Sequence, residues 1–101
     1  MTSLVSIRRV TVVADVVLEN TLLESFTRLG AQGYTIVECR GKGHHTVIPD
    51  PYTGQALVRI ELLVQPKVAD AIFEYLHREV FENYACAACI ETVDVAPGDR
   101  F

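Results

Sequence analysis

Tryptophan is absent from this 101-residue chain and methionine occurs once. No apolar run approaches the roughly eighteen residues that a membrane-spanning helix needs, so direct membrane insertion is not expected. Basic residues are in the minority. Nine Lys and Arg against thirteen Asp and Glu leave a net charge of −4 and a pI near 5.2. That balance excludes a protein that coats nucleic acid, and no nucleic-acid partner is expected. Cysteine is scarce too: Cys39, Cys86 and Cys89 are an odd number without a disulfide-like pattern, which points to a reducing cytoplasm. The opening residues Met1 to Arg9 lack a basic segment followed by an apolar one, so no secretory signal is expected.

What the chain does have is apolar surface in excess. Half of its residues are hydrophobic and its mean hydropathy is +0.23. A domain this size buries only roughly 60–70% of its unfolded surface. The surplus suggests that part of the apolar surface is buried between copies of the chain.

The pattern predicts a single domain over residues 1–101, built from two similar halves. Ser3 to Ala14 is rich in β-branched residues on both parities, as a strand covered on both faces would be. Leu18, Leu22, Leu23, Phe26 and Leu29 then recur at helical spacing, and Gly30 stands where a glycine ends a helix. Tyr34 to Cys39 reads as a second strand. Residues 41–55 hold Pro49, Pro51 and three glycines without apolar periodicity, a loop long enough to be functional or disordered. Ala56 to Val64 reads as a third strand, and Pro66 suits the first turn of a second helix. Val68, Ala69, Ile72, Phe73, Leu76, Val80 and Phe81 supply that helix with its apolar stripe, and Ala85 to Val95 forms the last strand. Right-handed crossovers fold the order βαββαβ into a ferredoxin-like α+β domain, a four-stranded antiparallel sheet with both helices on one face. The far face then needs a cover, and further copies of the same sheet, most simply as a homotrimer, would provide it.

The stretch from Gly30 to His45 carries the most chemistry. A turn hinges on Gly33, a strand follows, and Gly41-Lys42-Gly43 leaves bare backbone around a cation. Backbone N–H groups in such a turn form a concave anion site, and lysine adds a point charge. It is not a Walker A loop, because the spacing and the following helix are missing. The competing reading is a plain strand exit with a solvated lysine.

Other residues admit bland readings beside functional ones. His44-His45 could be a pH-sensitive pair, a metal half-site or simply solvated loop residues, and zinc would need further ligands. Cys86 and Cys89 lie three apart in a predicted strand and so point to opposite faces, a poor geometry for a disulfide or a shared metal. They read as small core hydrophobes. Tyr34 and Tyr84 could stack on an aromatic base or merely pack with a wet hydroxyl. Glu61, Glu91 and Asp94 read as a solvated or inter-subunit polar edge. No carboxylate pair, and no serine or cysteine with a histidine base, is placed for catalysis, so no catalytic residue and no enzyme activity are expected. Pro49, Pro51 and Tyr52 give the long loop reduced entropy and an amphipathic anchor for a partner.

A chain of this length and element order, with a long loop between its second and third strands, resembles the PII superfamily of trimeric signalling proteins. Gly30 to Thr35, Gly41-Lys42-Gly43 and Phe81-Glu82-Asn83-Tyr84-Ala85 are similar to its PII-like branch. Within it the chain most resembles the SbtB-type proteins, which associate with a sodium-dependent bicarbonate transporter in cyanobacteria. The resemblance implies a homotrimer with three inter-subunit clefts that bind cAMP, AMP, ADP or ATP as effectors, with a divalent metal possible beside ATP and no resident cofactor. It implies that Gly33, Tyr34, Thr35, Gly41, Lys42, Gly43, His45, Tyr84, Ala85 and Arg100 bind the nucleotide. It also implies that the long loop, the T-loop, reports nucleotide state to the membrane transporter through His44, Thr46, Val47, Ile48 and Tyr52. The protein would then be cytoplasmic and reversibly membrane-associated.

Two departures stand out. Where those relatives carry arginines after Gly-Lys-Gly, this chain has His44 and His45, so phosphate charge falls to Lys42, the histidines, or Arg8, Arg9 or Arg100. No cysteine-flanked extension follows Gly98, and the redox switch proposed for some relatives is not expected. The alternatives are another PII-like adenylate sensor, such as a carboxysome-associated one, a copper-tolerance-type trimer binding a divalent metal through Cys39, His44 and His45, or a slow nucleotide hydrolase.

Overall fold

A computed structural model describes residues 3–41, 55–97 and 101. The chain runs β1 (Val5–Asp15), a 3-10 turn (Val16–Leu18), α1 (Glu19–Arg28), β2 (Thr35–Gly41), β3 (Gln55–Val64), α2 (Pro66–Glu79) and β4 (Cys86–Val95). The four strands form one sheet in the order β2-β3-β1-β4, every pair antiparallel. This is the ferredoxin-like arrangement that the sequence predicts.

Each helix boundary has a local cause. The Asp15 carboxylate accepts from the Val17 N–H at 2.9 Å and caps the 3-10 turn, which delays α1 to Glu19. At its other end, the Gly30 N–H donates to the Thr27 carbonyl and the Ala31 N–H to the Phe26 carbonyl. Those paired bonds are a Schellman motif, and Gly30 holds the positive φ of 120° that it calls for. Pro66 opens α2, where its missing N–H costs nothing. The second helix stops at Glu79, so Val80 and Phe81, predicted as the end of its stripe, lie in the closing turn. Val80 is still buried and Phe81 half-buried against the core.

Both helices pack on the face carrying Val10, Val12 and Ala14 of β1 and Val58, Ile60, Leu62 and Val64 of β3. Leu22, Phe26, Ala69, Ile72 and Leu76 close over them, and each is nearly or fully excluded from solvent. Tyr75 joins this core and meets Phe26 edge-to-face at 6.3 Å between centroids.

The opposite face alternates apolar and charged positions. Val5, Ile7 and Val13 share it with Arg9, Arg59, Glu61 and Glu91, and Ile7 is the only one of these that is buried. Asp94 falls on the helix side, not on the edge predicted with Glu61 and Glu91. It faces Ser6 directly and accepts its hydroxyl proton at 2.7 Å.

Candidate functional site

The register of the sheet sets the site. Thr35 of β2 lies beside Glu61 of β3, which lies beside Thr11 of β1. One step toward the start of β1, Arg9 lies beside Leu63 and, on its other side, beside Glu91. At this corner an open hollow of about 320 Å³ forms where α1 hands over to β2. Gln32, Gly33, Tyr34 and Thr35 supply its rim, Arg9, Glu61 and Leu63 its sheet wall, and Phe101 a further apolar side.

The hollow is amphipathic. The exposed ring of Tyr34 and the side chains of Leu63 and Phe101 offer apolar surface, while Thr35, Gln32 and the backbone at Gly33 offer hydrogen-bonding groups. Its two charged groups are each paired. The Arg9 guanidinium donates from Nε to Oε1 and from Nη2 to Oε2 of Glu91, both at 3.1 Å. Glu61 stands 3.8 Å from Arg59, two residues away on the same strand and face. Such a hollow, with its own charges balanced, suits the neutral and ring-bearing part of a ligand.

The predicted nucleotide-contacting residues therefore divide into two groups. Gly33, Tyr34 and Thr35 come together at the hollow. Gly41 ends β2, six residues further on, or about 20 Å at the rise of a strand. Tyr84 and Ala85 lie at Gly41's end of the sheet, because Cys86 aligns with Ala14, Val58 and Glu38. Tyr84 is exposed, and its N–H donates to the Val80 carbonyl at 3.0 Å. A second hollow of about 380 Å³ opens there, between Val16, the Glu38–Arg40 segment, Ala56 and Leu57. Lys42, Gly43, His44, His45, Thr46, Val47, Ile48, Tyr52 and Arg100 lie outside the described residues.

Sequence reasoning missed Gln32, Glu61, Leu63 and Phe101 as cavity residues. Their positions are scattered along the chain and meet only through strand register. Arg9 alone is signalled by the sequence, as one of several spare cations.

The two β4 cysteines point to opposite faces as their spacing predicts, but the expectation that both are core residues fails for Cys89. Cys86 is half-buried against the core, whereas Cys89 is exposed on the opposite face. Burial pushes the Cys86 thiol up from 9.0 to about 11. Among the described residues, no three His, Cys, Asp or Glu side chains converge as a metal site would require. No helix among them is long and apolar enough to cross a membrane.

Comparison with known proteins agrees with this architecture. The chain matches the nitrogen regulatory protein P-II family over residues 7–99. It is 41% identical to a PII-like signalling protein from Thermus thermophilus, covering 92% of this chain and 91% of that one, with a TM-score of 0.77. It also shares its fold with CPII, a nitrogen regulatory PII-like protein from Thiomonas intermedia solved with ADP, AMP and bicarbonate. That pair is 21% identical, covers 98% and 100% of the two chains, and has a TM-score of 0.80. A DUF3240 family protein from Shewanella baltica, 11% identical with 85% and 88% of the chains covered, superposes with a TM-score of 0.66. No protein of curated function matches by sequence. With the match spanning nearly the whole chain and a relative at 41% identity over most of it, this protein belongs to the nitrogen regulatory P-II family.

Proposed function

We propose that this protein is a trimeric PII-like regulator that binds adenine nucleotides in clefts between subunits and signals their presence through residues 41–55. The observation that carries the reading is the separation of the candidate residues along β2. Thr35 and Gly41 stand about 20 Å apart on one protomer. A mononucleotide is too short to touch both ends of that strand. A neighbouring copy that sets its Gly41 end beside the Thr35 end of the first would bring both groups to one ligand. The partly apolar far face of the sheet gives such copies a surface to share.

In this arrangement the hollow at Gly33–Thr35 takes the adenosine part, with Tyr34, Leu63 and Phe101 against the ring and Glu61 or Thr35 within reach of ribose hydroxyls. The neighbour's Gly41-Lys42-Gly43 supplies backbone N–H groups and a cation to the phosphate. His45, Tyr84, Ala85 and Arg100 complete the cleft. Nucleotide binding would fix Gly41–Gly43 and so bias the loop that follows. The ligand shifts the loop only as far as it prefers one loop state over another.

The SbtB-type resemblance names the partner: a sodium-dependent bicarbonate transporter met by His44, Thr46, Val47, Ile48 and Tyr52. CPII, solved with bicarbonate beside its nucleotides, makes bicarbonate itself a second ligand to test.

Isothermal titration of the purified chain with cAMP, AMP, ADP and ATP, with and without a divalent metal, tests the proposal. Saturable binding at one site per subunit, weakened by Lys42→Ala, is the expected outcome. No binding of any adenylate, together with tight copper or zinc uptake, would replace it with the metal-binding alternative.

A further inference from the structure

Among the described residues of the sheet's far face, Ile7 alone is fully buried, yet it stands outside the core that the helices cover. Val5 and Leu63 on the same face remain 43% and 36% exposed, so the cover over Ile7 is local. Both helices lie on the other side of the sheet and cannot supply it. The hollow next to Ile7 holds a group that can. Of the described residues lining it, Phe101 alone comes from beyond β4. We infer that Phe101 is the cover and Ile7 its seat, which makes Ile7 a positioning residue for a hollow that it does not itself line.

Strand geometry allows the contact. Ile7 precedes Arg9 by two residues on β1, so the two share a face about 7 Å apart, and Arg9 lines the hollow together with Phe101. β4 ends at Val95, beside Val5. Phe101 lies six residues further on, within about 20 Å of extended chain. Leu63 on β3 is only two strand spacings from β4, about 10 Å, and Ile7 sits on β1, the strand between them. A residue beyond the last strand gives up backbone entropy to stay docked and is ordered only where contacts hold it. Phe101 is half-buried, so a ring bound in the hollow covers more of it and strengthens its seating. Filling the hollow and seating Phe101 are then one linked equilibrium, and whatever unseats Phe101 lowers affinity for the ring-bearing part of the ligand. Phosphate contacts at the Gly41 end are untouched, so the loss falls equally on adenosine and AMP.

This role rests on the adenylate binding proposed above and adds to it. Phe101→Ala in the full chain should weaken adenosine and AMP by the same factor, about tenfold, the loss of one aromatic stacking surface. Phe101→Leu, which keeps an apolar group on Ile7 without the ring, should fall between Phe101→Ala and the wild type. Ile7→Ala should weaken adenosine about threefold or more, yet change it by less than about twofold when Phe101 is already alanine. A merely structural role for Ile7 would act alike in both backgrounds. That result overturns the assignment, as does an Ile7→Ala affinity equal to that of the wild type. If Ile7→Ala does not fold, the smaller change Ile7→Val takes its place. Labelling with 4-fluorophenylalanine adds a readout that needs no ligand, the Phe101 signal being the one lost in Phe101→Leu. In the Ile7 variant that signal should move toward its value in urea, and adenosine should move it back. An unmoved signal refutes the seat. A wild type that binds neither adenosine nor AMP ends the adenylate reading, and the fluorine signal alone then decides whether Ile7 seats Phe101.

Discussion

A methyl group placed on Gly30 would stand 3.1 Å from Cγ2 of Val68, so the end of α1 and the start of α2 approach so closely that Val68 would have to give by a few tenths of an ångström. The φ of 120° at Gly30 is one that side-chain-bearing residues rarely adopt, so a substitution there is strained independently of that contact. Gly30→Ala should therefore cost about 1–3 kcal/mol of stability, read as a lower urea midpoint with unchanged slope. Adding Val68→Ala should relieve the contact but not the backbone strain. Full recovery in the double variant would show that the conformation contributes nothing.

Phe26 is buried between the sheet and α2, with its ring edge-to-face with Tyr75. Phe26→Ala should destabilise the fold by about 3–5 kcal/mol, the transfer and cavity cost of an aromatic core residue. Chemical denaturation measures it, and a loss below about 1 kcal/mol would mean the core collapses to fill the space.

Cys86 tests the packing of β4 from another side. Its thiol is pushed up to about 11 by burial, so the folded protein holds it neutral through a range where the unfolded chain, near 9, gives up its proton. The sign follows: the contribution to stability is complete below pH 9 and is lost as the pH rises from 9 toward 11. Replacing Cys86 with alanine should flatten that alkaline fall in the stability–pH profile. Because Cys86 and Cys89 lie on opposite faces of β4, a mild oxidant should leave them unlinked within one native chain. Mass spectrometry of peptides from the oxidised protein checks this directly.

The Arg9–Glu91 pair should matter little to folding, since both partners are well over a third exposed. Glu91→Gln should change unfolding stability by no more than about 1 kcal/mol, with any change fading as salt is raised. Thermal melts at low and high ionic strength are enough to establish it.

The fold was legible because its punctuation is local. Gly30, Pro66 and the apolar spacings in the two helices each act within a turn or two, and the structure places helix ends within a few residues of the expectation. The 3-10 turn at Val16–Leu18 was not legible, because the Asp15 cap that makes it resembles an ordinary strand end in sequence. Tyr75 was overlooked in the core because its hydroxyl makes it read as polar, although it follows Ile72 at helical spacing. The site was half legible. Gly33, Tyr34 and Thr35 announce themselves as a turn entering a strand, whereas Arg9, Glu61 and Leu63 become neighbours only once two antiparallel registers are fixed. That Thr35 and Gly41 stand at opposite ends of one strand is likewise a matter of geometry, hidden by their closeness in sequence.

The measurement that bears most directly on the central claim is complementation between two defective subunits. Tyr34→Ala impairs the hollow, Lys42→Ala impairs the Gly41 end, and each homo-oligomer should bind AMP poorly. Co-expression of differently tagged variants, purified through both tags, yields mixed oligomers. If one nucleotide is held between neighbouring subunits, the mixed oligomers should regain a tight site wherever an intact hollow meets an intact Gly41-Lys42-Gly43, visible as a high-affinity phase in titration. Mixed oligomers that bind no better than either parent, or a wild-type chain that binds AMP as a monomer, would contradict the shared cleft.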